Sequence, residues 1–241
     1  MGFHKWATVL TILLAIILAV SCGCPRCQEP IFLYPTPCTP PCWQNIIPGK
    51  TRQDEALQAL RASPWVYPDS IKVGYYEHAY TYHGPGAEIT WTGYSCVPMG
   101  GAIEIPAEGV VERIQVGFSC WGVRGVPVMI DDLIRLYGPP LVQVNALTGG
   151  ERRTFGIAFA YPHIGFVVDG RFEGTQGVNS LIPREILVES LEYVPPERFA
   201  EMARWISCAI PWDGYREASY YCPCPGQHVD PAWCEPFILD R

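Results

Sequence analysis

The stretch GKTRQDEALQALRASP, residues 49–64, decides how the rest of the chain is read. Pro48-Gly49-Lys50 forms a turn signal, Thr51 an N-cap, and Asp54 the group that returns the capping bond and suits the positive helix end. Ala56, Leu57 and Leu60 share one face, and Ser63-Pro64 stops the helix. Beyond it, residues 87–92 (AEITWT) alternate apolar and polar, as do residues 110–118, which place Glu112, Ile114, Val116 and Phe118 on one face. Residues 71–76 and 102–105 are weaker strand signals. Glu112 is the one charge on its stripe.

The same grammar returns downstream. Residues 129–137 (MIDDLIRLY) are helical in pattern, and Gly138-Pro139-Pro140 is a stop. Strands are expected at 154–161, at 164–169 after a hairpin about Pro162-His163, and at 186–194. An offset of 76 residues pairs Gly49 with Gly125, Leu57 with Leu133, Leu60 with Leu136 and Pro64 with Pro140. An offset of 77 pairs Glu112 with Glu189, Ile114 with Leu191 and Val116 with Tyr193. The pattern predicts an α+β fold of two tandem helix-plus-antiparallel-sheet units, residues 44–122 and 123–194, with a single continuous α+β domain as the alternative. Residues 195–241 then form a C-terminal helix, with Phe199, Met202, Ala203 and Ile206 on one face, and a Cys-rich irregular tail.

Gly49-Lys50-Thr51 followed by a helix, a proline stop and strands resembles the unit of the BamE/SmpA-type envelope lipoproteins, and its repetition resembles the β-lactamase-inhibitor protein. The resemblance covers about residues 44–194. It implies a fold of tandem α+β units, and it carries over no binding residues.

Composition narrows the function. Of 241 residues, 49% are hydrophobic and 17% charged, enough apolar material for a real core. The net charge of −7 gives no basic footprint for gripping phosphodiesters, so nucleic acid is excluded as a partner. Residues 6–20 (WATVLTILLAIILAV) follow Lys5 as a charge-free run of signal-peptide length, shorter than a membrane span. Residues 1–21 are read as a signal peptide and Cys22 as the lipidation site, with Ala19 where such sites usually carry leucine. Cleavage without lipid and a retained leader are the alternatives. A diacylglyceryl group plus an acyl chain suffices for stable anchoring on the outer face of a bacterial membrane. Residues 22–43 form a Pro- and Cys-rich tether.

Eleven cysteines are too many for an ordinary reduced cytosolic domain. Cys24-Pro25-Arg26-Cys27 has redox spacing but sits in the proline tether and not at the start of a helix after a strand. Cys38, Cys42, Cys96, Cys120, Cys208, Cys222, Cys224 and Cys234 are disulfide candidates. Cys96 with Cys120 would staple the first unit, and Cys208 with Cys222, Cys224 or Cys234 would close the tail. Cys222, Cys224, His228 and Cys234 have soft-metal chemistry, yet the spacing lacks a second knuckle. No metal and no cofactor are expected. The other histidines outside the signal peptide, His78, His83 and His163, fall in no catalytic pattern, and no nucleophile elbow, Walker loop or dinucleotide fingerprint occurs. Tyr75, Tyr80, Tyr82 and Trp91 crowd adjacent strands and form a candidate binding surface, against core packing as the alternative. The expectation is an exported, non-catalytic protein-binding or structural module. The alternatives are a glycan- or cell-wall-binding module and a secreted hydrolase.

Overall fold

The computed structural model describes residues 38–76, 85–93, 100–120, 123–147, 153–174, 180–202 and 209–221. The chain runs through α1 (Gln53–Ala62), β1 (Lys72–Tyr76), β2 (Gly86–Thr92), β3 (Gly100–Pro106), β4 (Arg113–Gly117), β5 (Ser119–Cys120), β6 (Val123–Arg124) and β7 (Val126–Met129). There follow α2 (Ile130–Tyr137), β8 (Leu141–Ala146), β9 (Arg153–Tyr161), β10 (Phe166–Gly174), β11 (Glu185–Tyr193), α3 (Phe199–Met202) and β12 (Ile210–Pro211). Ten strands form one antiparallel sheet in the order β1-β2-β3-β4-β11-β10-β9-β8-β12, with β7 also paired to β11; β5 and β6 pair separately.

Alternation sorts the two faces of the sheet. Ala87, Ile89 and Trp91 of β2, Ile103 and Ile105 of β3, and Ile114 and Val116 of β4 are buried on the inner face. Ala56 and Leu60 of α1, Ile130 and Leu133 of α2, and Ala218 and Tyr221 from the C-terminal segment cover that face in one continuous core. Trp43 stacks on Trp91 at 5.1 Å, and Trp212 on Tyr221 at 5.5 Å. Strands β9 and β10 are apolar on both sides because a second, smaller cluster of Ala158, Ala160, Val167, Val194 and Phe199 lies on the outer face. Among the described residues no helix is long and apolar enough to cross a membrane.

The expected fold of two tandem helix-plus-sheet units is overturned by this arrangement. The molecule is mainly one large antiparallel sheet with short helices of 10, 8 and 4 residues. The physical reason lies in the last strand of each supposed unit. Each has an apolar inner stripe and an unpaired edge, so β4 and β11 hydrogen-bond, with Leu191 opposite Val116 and Tyr193 opposite Ile114. Nor do the helices match at the 76-residue offset. Leu60 is buried while Leu136 is 39% exposed, and Leu133 is buried while Leu57 only flanks the core.

Three local readings also shift. The N-cap is Arg52, whose N–H donates to Glu55 Oε2 at 2.9 Å, while Thr51 Oγ1 accepts the Ile47 N–H at 2.8 Å. Met129, expected to open the second helix, ends β7 instead; among the described residues β7 pairs only with β11, and an edge tolerates Pro127. Glu112 and Arg113 both oppose Glu104, through the Glu112 N–H to Glu104 C=O bond and the Glu104↔Arg113 register. The extra residue breaks the alternation before Ile114.

The hairpin at Pro162-His163 is present, closed by Gly165 at φ +63°. A Cβ there would lie 2.0 Å from the Val194 carbonyl oxygen. Gly165→Ala is therefore expected to cost at least about 1–2 kcal/mol from the left-handed backbone alone, and more from the clash. Urea melts of the two proteins measure it, and an unchanged midpoint would refute the close approach.

Candidate functional site

The outer face carries the charges. On β11 the partner of Asp169 is Ser190 and the partner of Gly170 is Val188, so Glu189 is the extra residue of a bulge. A bulge turns two successive side chains to one face. Glu189 accordingly pairs with Arg171 at 3.2 Å, and Ser190 Oγ donates to Asp169 Oδ2 at 3.3 Å. One row along, Arg113 of β4 donates through Nη2 to Glu192 at 2.7 Å and through Nη1 to Glu104 at 3.5 Å. Glu192 lies beside Val167 and Gln115, and Asp169 beside Ala158, so both acids border the apolar patch under Phe199.

That border sets the electrostatics. Burial holds the Asp169 carboxyl up to about 8, and the nearby Glu192 charge adds to the rise, while Ser190 and Arg113 oppose it. Glu192, 2% exposed, is likewise raised by burial, with Arg113 pulling the other way. At the end of the sheet Glu112, 4% exposed, pairs with Arg198 in the turn that leads into α3. The charge that stood out on the strand stripe is thus the anchor that fastens residues 195–202 to β4.

The expected site residues scatter. Trp91 is 3% exposed and belongs to the core against Trp43. Tyr75 is 81% exposed at the β1 edge of the sheet. Tyr80 and Tyr82 lie outside the described residues, as do Cys22, Cys96, Cys208, Cys222, Cys224, Cys234 and His228. Cys38 and Cys42 are joined in a disulfide with Cα atoms 5.7 Å apart. Cys120 is in β5. Among the described residues no cluster of three or more His, Cys, Asp or Glu could hold a metal. An open hollow of about 260 Å³ at the start of α1 is lined by Arg52, Gln53, Asp54, Leu57 and Gly109, on the opposite side of the sheet from Asp169 and Glu192.

Sequence reading missed the outer-face acids because it ended a strand at Asp169, which made that residue a terminus. β10 continues to Gly174, and a carboxylate in the middle of a long apolar strand is the signal that was there to find.

Compared with known proteins, the chain matches no family model, no curated sequence and no solved structure.

Two outcomes test the network. Because folding raises the Asp169 carboxyl above its ordinary value, the folded state binds a proton that the unfolded chain releases between about pH 4 and pH 8, and the contribution to stability falls as pH rises through that window. Asp169→Asn is expected to gain stability relative to the parent between about pH 5 and pH 8.5 in urea melts; parallel curves would refute a raised group. Arg198→Ala leaves Glu112 buried without its cation and is expected to cost about 2 kcal/mol, less than a fully buried pair because Arg198 is 39% exposed. Adding Glu112→Gln should return most of that loss, and a double variant no better than the single would show that Arg198 acts elsewhere.

Proposed function

We propose that the chain is an exported envelope protein, lipid-anchored at Cys22 to the outer face of a bacterial membrane, that works by binding another protein and not by catalysis. The observation that carries the reading is the outer face of β2, β3 and β4. Glu88, Thr90, Ala102, Glu104, Arg113 and Gln115 form a mixed-charge surface there, and among the described residues no helix packs on it. Such a face suits a protein surface, where complementary charge steers and selects partners. A glycan platform needs open rings, and on this face Tyr76 is half-buried over Gly86. The Cys38–Cys42 disulfide supports export, because such bonds persist in oxidising compartments.

A second reading, a hydrolase with Asp169 and Glu192 as acid and base, is favoured by one observation, the raised carboxyl of half-buried Asp169 near the buried Glu192. Protein binding is preferred because the mixed-charge outer face of β2–β4 offers a broad surface, whereas the hollow at the start of α1 is lined by neither Asp169 nor Glu192.

A photo-crosslinker placed at Gln115, exposed on β4, should capture a discrete protein neighbour in intact cells, and one at exposed Arg61 of α1 should not. Retention on cell-wall polysaccharide instead would support the glycan alternative. Turnover of a substrate panel, lost in both Asp169→Asn and Glu192→Gln, would support the hydrolase. Mass spectrometry of the mature protein should find a lipidated Cys22 at its start, and an unmodified first residue would end the anchor reading.

A further inference from the structure

Among the described residues β1 is an outermost strand of the sheet, and its exposed residues form a self-complementary edge. Thr92 turns both backbone groups toward β1: its C=O accepts the Tyr67 N–H at 3.0 Å, and its N–H donates to Ser70 Oγ at 2.9 Å. Antiparallel ladders alternate, so Thr90 and Glu88 face β1 as well, and their partners Lys72 and Gly74 face back. Val73 and Tyr75 therefore point their N–H and C=O groups away from the sheet. Val73 is 38% and Tyr75 81% exposed, both on the inner face beyond the cover of α1.

Of the usual guards against pairing the edge carries one, the charge of Lys72. It has no proline and no bulge, and its one charge, Lys72, has no ion-pair partner among the described residues. In the middle sits Gly74, where a Cβ would meet nothing within 4 Å, so the lane across the outer face to Glu88 is open. Glu88 stands opposite Glu104, which Arg113 engages, and Glu88 itself has no ion-pair partner among the described residues. A glycine inside a strand marks a place where another backbone can come close.

We propose that this edge pairs with the β1 edge of a second copy of the chain, antiparallel about a two-fold axis at Val73. This register, among those the alternation allows, sets Lys72 of each copy opposite Gly74 of the other. The ammonium then reaches over the glycine to Glu88, two strand spacings of about 4.8 Å away. It also lays Tyr75 over the half-buried Ile71 of the other copy. Because the contact is isologous, each ion pair and each apolar pair forms twice. The inference goes beyond the partner-binding reading and stands whether or not the outer face of β2–β4 binds anything.

The test is the mass of the full chain in detergent, by light scattering over a wide concentration series. The parent is expected to pass from monomer to dimer. Val73→Pro removes an outward N–H that β2 does not use and should leave a folded monomer, with Tyr75→Lys as the second variant should the proline disturb folding. Lys72→Glu and Glu88→Lys should each weaken association about tenfold, since two exposed pairs are lost at once. The double reversal should restore it. A parent that stays monomeric, dimers untouched by Val73→Pro and Tyr75→Lys alike, or a double reversal weaker than either single change overturns the proposal.

Discussion

Strand β11 has to serve three neighbours with nine residues, and the rest of the molecule follows from how it does so. Along one side it pairs with β10; along the other it gives residues 185–188 to β7 and 190–193 to β4. The bulge at Glu189 falls where the second edge changes hands, and the Glu189 carbonyl there accepts the Phe118 N–H at 2.7 Å. That sharing joins β1–β4 to β8–β10 in one sheet and makes one continuous inner core. It also turns Glu189 and Ser190 outward together, which gathers the acids of the outer face.

The charges so gathered range from buried to half-exposed, Glu192 at 2% and Arg171 and Glu189 at 30% each. Arg113, Arg171 and Arg198 each answer one or more carboxylates, and Asp169 is held by a serine instead of a cation. Partly buried ionic groups of this kind add little net stability compared with apolar packing, because desolvation offsets the attraction. What they do supply is geometry. The Glu112–Arg198 pair ties the segment carrying Phe199 to β4, and Phe199 in turn excludes water from Ala158, Ala160 and Val167. The acids beside that patch are raised for the same reason that the patch is dry.

The two ends of the sheet differ. At the β8 end the segment from Ile210 to Tyr221 closes the core: Trp212 stacks on Tyr221 and donates its backbone N–H to the Pro140 carbonyl, and Tyr215 bonds Asp131 of α2 at 2.6 Å. At the β1 end no such strap lies over Val73 and Tyr75 among the described residues. An uncovered edge beside a closed core is the place where the fold offers backbone hydrogen bonds to another chain.

By itself the amino-acid order determined the local elements whose causes are local. The α1 helix with its serine-proline stop, the alternation of β2, the glycine stop after α2, the Pro162-His163 hairpin and the apolar stripe of β11 can all be read from neighbours within a few residues. Periodicity also placed Trp91 in a strand without saying what it would touch, and it ran a strand through Glu112, which lies just before β4. Only the tertiary structure decided that Trp91 is core under Trp43, that Glu112 meets Arg198, and that Asp169 and Glu192 share a dry face with Arg113. It alone decided that β4 pairs with β11, more than 70 residues away. Side-chain alternation states which face a residue takes, but hydrogen-bonding edges are alike in every strand, so which edges meet is settled by the packing of the whole chain.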